Sequence, residues 1–368
     1  MTGAIQTAQT LPFLLISIPA GLLVDRMSRA RLMAGAEALR ALSLAAIFVL
    51  MIHGSLTLPL LAALGLLGAC GTVVYGVAAP ALMPSLVERN MLPVANGKIE
   101  LARTAAFAAG PALGGALVGW TGGMTAYGVA TALSVLAVVL LSRIGEPLRI
   151  RTDSRRPLVE IRTGIAFVLG HQLLRPILLT QFVFNTALFV IMAIYAPYAI
   201  RQVGLSAAEA GLTLSAFGAG MVIGALIAPR IMNGLPLGTV IAIGPVCGFA
   251  AALVMVLTIF LPSGWLAGLS FFLMGAGPIV WVVSTTTLRQ TVTPDHLLGR
   301  VSAINALAYG ARPVGAGLGA IVGSLWGAEA CLILAAVGFL AQVAIVFLSP
   351  VVQLEKQSLR LKSNLSPA

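Results

Sequence analysis

Gly21-Leu22-Leu23-Val24-Asp25-Arg26-Met27-Ser28-Arg29-Ala30-Arg31, GLLVDRMSRAR, closes the first long apolar stretch of a 368-residue chain. Only 9% of the residues are charged, yet Asp25, Arg26, Arg29 and Arg31 fall within seven positions. The sequence is oily on both sides of them. Charges in such a place mark a short water-facing turn between two membrane-crossing helices. An aspartate that ends a helix sits at the unfavourable, negative end of the helix dipole. Asp25 is therefore expected to dock on the positive N-terminus of another helix entering from the same side, such as the one starting near Val301. The competing reading is a solvated loop that sets orientation, and for the three arginines it weighs at least as much.

Composition points the same way. The chain is 59% hydrophobic and has a mean hydropathy of +1.02, which excludes an ordinary soluble domain. Its apolar residues fall into eleven blocks, about 3–24, 32–53, 58–80, 99–119, 124–142, 173–199, 208–229, 238–261, 265–287, 301–325 and 328–349. Each is long enough to cross roughly 30 Å of hydrocarbon as a helix, and helix satisfies every backbone polar group there. The expected fold class is an all-α polytopic membrane protein.

The net charge of +11 is not a nucleic-acid signal, because the basic residues sit in short loops between oily blocks. Seventeen Lys and Arg lie on one face of the predicted topology and Arg201 alone on the other. Positive-inside bias places the seventeen in the cytoplasm, Met1 outside and the C-terminus inside. Cys70, Cys247 and Cys331 lie within oily blocks without metal-like spacing. No phosphate-binding loop, metal cluster or placed nucleophile is visible, so neither an enzyme nor a cofactor or metal site is expected.

The polar segment 143–172 divides the chain into an N-terminal bundle of five helices (1–142) and a C-terminal bundle of six (173–349), followed by a tail (350–368). The segment reads as a cytoplasmic linker with a short interfacial helix. The halves look like copies. At an offset of 202, Gly97-Lys98 matches Gly299-Arg300, Pro111 matches Pro313 and Gly115 matches Gly317; at 203, Gly21 matches Gly224. In this register the span 173–199 has no partner, and the first half is 35 residues shorter than the second. The expectation is a further apolar span upstream of Met1.

Ionisable groups inside spans are costly and therefore candidates for function. Arg312 falls in the middle of span 301–325 and could meet an anionic substrate or a carboxylate. Glu37 with Arg40, and Glu100 with Arg103, are pairs three residues apart on one helix face, for which structural pairing is favoured. Gln6, Gln9, Gln181, Asn185 and Trp281 could line a cavity, though helix-to-helix hydrogen bonds explain the polar ones as well.

GLLVDRMSRAR resembles the signature between the second and third helices of the major facilitator superfamily, with Ser28 where the common pattern has glycine. AAGPALGGAL, containing Gly110, Pro111, Gly114 and Gly115, is similar to the fifth-helix signature of drug and proton antiporters. PDHLLGRVSAINALAYGARPVGAGLG (294–319) is similar to the enterobactin-exporter-like and macrolide-efflux-like branch. The resemblance implies two pseudo-symmetric six-helix bundles, of which this chain begins at the second helix. It implies proton-driven export of a hydrophobic or amphipathic small molecule, drug- or siderophore-like, by alternating access. It gives Gly21, Asp25, Arg26, Arg29 and Arg31 a gating role, in a monomer of the bacterial inner membrane whose partners are the substrate, the proton and the bilayer. The rivals are an uptake permease of the same fold and a non-transporting remnant or scaffold.

Overall fold

The computed structural model describes residues 16–146 and 157–355. Every regular element among them is helical. In chain order they are α1 (16–26), α2 (Arg29–Ile52), α3 (Leu58–Leu86), α4 (Leu92–Ser142), α5 (Pro157–Gly170), α6 (Leu174–Arg201), α7 (Ala207–Gly234), α8 (Leu237–Leu257), α9 (Gly264–Val292), α10 (Leu298–Leu307) and α11 (Ala311–Phe347). Eight helical stretches among the described residues are long and apolar enough to cross a membrane, and one of them, Asp295–Phe347, holds two of the predicted spans. The helix α5 falls within the predicted linker.

Two elements are longer than one crossing needs. The 51 residues of α4 turn at Gly122 (φ 86°, ψ 164°), and the 37 of α11 turn at Gly327 (φ 86°, ψ 172°). Only glycine takes that conformation without steric cost. Both turns fall where the sequence predicts outer connections. Trp120 and Trp326 stand exposed just before them, and Trp265 stands exposed at the start of α9. Amphipathic rings at helix ends form the aromatic belt of a membrane protein.

The chain divides into two compact units, and each takes a piece of the other sequence half. The first comprises Met1–Arg89, Ala109–Val168 and Val292–Gly310; the second comprises Asn90–Ala108, Leu169–Thr291 and Ala311–Ala368. In the first unit α2 packs on α3, and a Cβ at Gly71 would stand 2.5 Å from the Ala36 carbonyl oxygen. Ala20, Val24, Val77, Ala81, Leu82 and Leu298 share one core there.

In the second unit α6 lies along α11 with backbones almost touching. A Cβ at Gly315 would collide with the Thr186 carbonyl, and one at Gly319 would lie 2.8 Å from that of Val190. Glycines spaced along α11 permit this close packing. Gly220, Gly224 and Gly275 bring α7 onto α9 in the same way. Tyr195, Phe271, Met274 and Phe339 fill the core. Tyr198 Oη and Thr258 Oγ1 hydrogen-bond at 2.7 Å, and Ser270 donates to the Ala251 carbonyl at 2.7 Å. These buried hydroxyls find partners inside the protein, as a medium without water demands. The start of the predicted tail belongs to this unit. The turn Pro350–Gln353 leads to Leu354, whose carbonyl accepts from Gly238 N–H at 3.0 Å at the start of α8.

Candidate gating site

Asp25 sits one residue past the first predicted span, in the last turn of α1. Its side chain is only 3% exposed. The Gly299 N–H donates to Oδ1 at 2.8 Å and the Arg300 N–H to Oδ2 at 3.2 Å. Arg300 Nε lies 3.1 Å from Oδ2 as an ion pair. These two N–H groups open α10, where the helix offers unsatisfied donors and positive potential. The expected docking therefore forms, on the helix that begins at Leu298. Burial pushes the carboxyl up from 3.8 to about 6, against the pull of the Gly299 N–H, the Arg300 charge and N–H, and Arg29. Glycine permits the approach on both sides. A Cβ at Gly21 would lie 2.6 Å from Ala303 Cβ, and one at Gly299 would lie 2.5 Å from Asp25 Oδ1.

The arginines of the motif are not one group. Arg29 is 1% exposed. It donates through Nη1 to the Ala81 carbonyl and through Nη2 to the Asp295 carbonyl at 2.7 Å, tying the end of α3 to the turn before α10. A solvated, purely topological role does not describe it. Arg26 is half-buried and Arg31 exposed. Ser28, the departure from the common pattern, is the N-cap of α2 and accepts from Arg31 N–H at 3.3 Å. It also donates to Glu146 Oε2 at 2.6 Å, and the same oxygen accepts from Ala30 N–H at 3.1 Å. Glu146 thus brings to the start of α2 the negative charge that its own first turn lacks. The linker helix closes over the clasp, since a Cβ at Gly164 would stand 3.0 Å from Arg300 Cβ.

The predicted intrahelical pairs form. Glu37 accepts from Arg40 at 2.7 Å, and Arg40 also reaches Ser134 at 3.4 Å. Glu100 pairs with Arg103. Both carboxylates are buried, while their arginines are about half exposed. Arg312 meets one of the predicted cavity residues, Asn185, and a phenylalanine one turn further along α6. Its Nε donates to Asn185 Oδ1 at 2.9 Å, and its guanidinium lies 5.3 Å from the Phe189 ring centroid. Asn185 in turn donates to the Gln181 carbonyl at 2.9 Å. Trp281 is buried against Gly244 on α8. Gln6 and Gln9 lie outside the described residues.

Nothing among the described residues lies within 4 Å of a Cβ at Gly110 or Gly114. The side chain of Pro111 and the surroundings of Gly115 lie outside the described set.

Three residues were not singled out from the sequence. They are Glu146 and the pair Asn96 and Gln290, the last two buried and joined at 2.6 Å. Glu146 lies in the predicted linker, four residues past the span 124–142, and its contacts with Ser28 and Ala30 are remote in sequence, so nothing local announces it. Asn96 was visible as the residue before the repeated Gly-basic pair.

The family described as transmembrane secretion effector matches residues 1–367. The chain belongs to this family of the major facilitator superfamily. Among its relatives, the multidrug efflux pump Tap of Mycolicibacterium fortuitum is 29% identical over 330 residues, covering 84% of this chain and 77% of that protein. The enterobactin exporter EntS of Salmonella typhi is 27% identical over 324 residues, covering 82% and 73%. Solved major facilitator structures share the fold. A bacterial homologue of the iron transporter ferroportin, in the outward-facing state, superposes with a TM-score of 0.76 at 16% identity over 93% of this chain and 88% of that one. The human organic anion transporter MFSD10 gives 0.77 at 18% identity, covering 94% and 83%. This member of the superfamily is thus a polytopic membrane transporter, and its family and fold are those of transporters rather than enzymes.

Proposed function

We propose that this facilitator exports a hydrophobic or amphipathic small molecule in exchange for protons, by alternating access of its two sequence halves. The reading is carried by the Asp25 contact. A carboxylate from the first half is held by the N-terminus of a helix from the second, at 2.8 and 3.2 Å. A contact of that kind closes the cytoplasmic side when made and must break when that side opens. The seventeen-to-one basic asymmetry supports a cytoplasmic position for it. The direction in this reading is taken from the efflux relatives, and the protein works as a single chain in a bacterial inner membrane with its C-terminus inside.

The substrate path runs past Arg312 and Asn185, a cation and an amide in an otherwise apolar span, beside Gln181, whose backbone carbonyl accepts from Asn185. Glu37 and Glu100 are the carboxylates for proton exchange. Protonation of either would release the arginine paired with it.

Transport by purified protein in liposomes, with an imposed pH gradient and with ethidium or enterobactin as probe, tests the reading. Accumulation in the acidified lumen of inside-out-oriented vesicles is expected, and collapse of the gradient should abolish it. Movement in the opposite sense would make the protein an uptake permease. Absence of flux for correctly inserted protein, across a panel of lipophilic cations and organic anions, would favour a scaffold.

A further inference from the structure

The repeat gives a second cross-half contact equivalent to the first, with inverted chemistry. The contact pattern matches Gly21 to Ala225 rather than to Gly224. Gly21 packs against Ala303, and Ala225 clusters with Leu101, the repeat partner of Ala303. ALIAPR (225–230) thus stands where GLLVDR (21–26) stands. Pro229 occupies the place of Asp25. A Cβ at Gly97 would lie 2.7 Å from Pro229 Cγ, as one at Gly299 would lie 2.5 Å from Asp25 Oδ1. Proline carries no side-chain acceptor, and Gly97 is the sixth residue of α4, past the free N–H groups that Gly299 and Arg300 present at the start of α10. The residue before each glycine differs in the reciprocal sense. Leu298 packs into the apolar core with Ala81 and Leu82 of α3. Asn96, its partner in the repeat, donates to Gln290 Oε1 at 2.6 Å and to Thr287 Oγ1 at 3.0 Å on α9. All three are more than nine-tenths buried.

We infer that Asn96, Gln290 and Thr287 form a charge-neutral second clasp that replaces the carboxylate missing at position 229, fastening the start of α4 to the end of α9 while the cytoplasmic side is closed. The inference rests on the alternating-access reading. Its chemistry fits that duty. Thr287 donates its own proton to the Val283 carbonyl at 2.9 Å and so presents an acceptor to Asn96. Amide-to-amide and amide-to-hydroxyl bonds do not titrate and are little screened by salt. One side of the closure then answers to pH while the other holds irrespective of it. Asn96 acts by positioning α4 and does not touch substrate.

A substrate-free test reads opening directly. Asn96, Glu100 and Thr104 recur every four residues on one face of α4 and are all buried. A cysteine introduced as Thr104→Cys, with Cys70, Cys247 and Cys331 changed to alanine, should react slowly with a small maleimide. Gln290→Leu, which removes one bond, should speed that reaction about fivefold, and Asn96→Leu, which removes both, about 30-fold, at ~1 kcal/mol per buried hydrogen bond. A control cysteine from Ser270→Cys, at the far end of α9, should not change. Adding Pro229→Asp to Asn96→Leu should slow the reaction again, because a carboxylate beside Gly97 can then pair with Lys98, the repeat partner of Arg300. Unchanged reactivity at position 104, equal acceleration at both positions, or no slowing on adding Pro229→Asp would overturn the clasp. Absent flux in the unaltered protein would count against export alone, since the labelling needs no substrate.

Discussion

Gly299→Ala tests the Asp25 clasp with a single methyl group. The added Cβ would stand 2.5 Å from Asp25 Oδ1 and 2.6 Å from the Gly21 carbonyl oxygen, where ordinary contact begins at 3.4 Å. One of these is backbone, so rotation of the carboxylate cannot relieve the clash by itself. The two helix ends must part by about 0.9 Å. That separation stretches the 2.8 Å hydrogen bond to about 3.7 Å, outside the useful range. A hydrogen bond to a charged group contributes ~1.5–3 kcal/mol. The closed arrangement should therefore weaken roughly 10- to 100-fold relative to the open one. Labelling of Ser302→Cys, a buried position on α10, should accelerate from the cytoplasmic face while export falls at unchanged membrane abundance. Gly317→Ala, where nothing lies within 4 Å of the new Cβ, should alter neither. Wild-type labelling and export in Gly299→Ala at equal abundance would refute the argument that close approach at Gly299 holds the gate.

Acidification should favour the closed clasp. Asp25 titrates at about 6 when docked and near 3.8 when released, so the docked state binds the proton more tightly. Its advantage is complete below 3.8 and is lost as the pH rises through 6. Labelling of Ser302→Cys, corrected for thiol ionisation, should slow as the pH falls from 7 to 5, and an equal slope in Asp25→Asn would sink the assignment. Asp25→Asn itself should lower transport far more than abundance, because it removes the charge whose pairing with Arg300 has to be made and broken; unchanged flux at equal expression would reduce the motif to a topology signal. Arg312→Ala should impair transport and selectively weaken anionic substrates, with Arg312→Lys retaining part of the activity; full activity of the alanine variant would remove Arg312 from the path. Cysteines from Ser154→Cys and Ser206→Cys should label only from the cytoplasm and only from outside, respectively. External labelling at position 154 in intact cells would invert the topology.

The span pattern was legible because each apolar block needs its own helix, and Gly122 and Gly327 were needed where two blocks meet. The docking of Asp25 was legible too, since an anion at the wrong end of its own helix must find the right end of another. Arg29 was not. A loop arginine in a charge-poor chain looks the same whether it faces water or threads between Ala81 and Asp295, because its carbonyl partners lie 52 and 266 residues away. Glu146 escaped for the same reason, being 118 residues from Ser28. The one-residue error in the repeat came from trusting a shared glycine, where the contacts follow Pro229 and Gly97.

The burial of Arg29 has a consequence for how the chain is made. During insertion its charge belongs to the nascent loop, where it counts toward keeping that loop on the side of synthesis, well before Asp295 has been translated. Once the chain is complete, the same guanidinium is withdrawn from water into a staple whose last partner arrives near the end of translation. One side chain therefore acts at two moments with two different demands. Lysine would satisfy the earlier one, which asks only for charge, and would fail the later one, which asks for two donors spread across a planar fork. An Arg29→Lys protein should insert in the correct orientation and still mature poorly, and this separates assembly of the finished fold from the threading that precedes it.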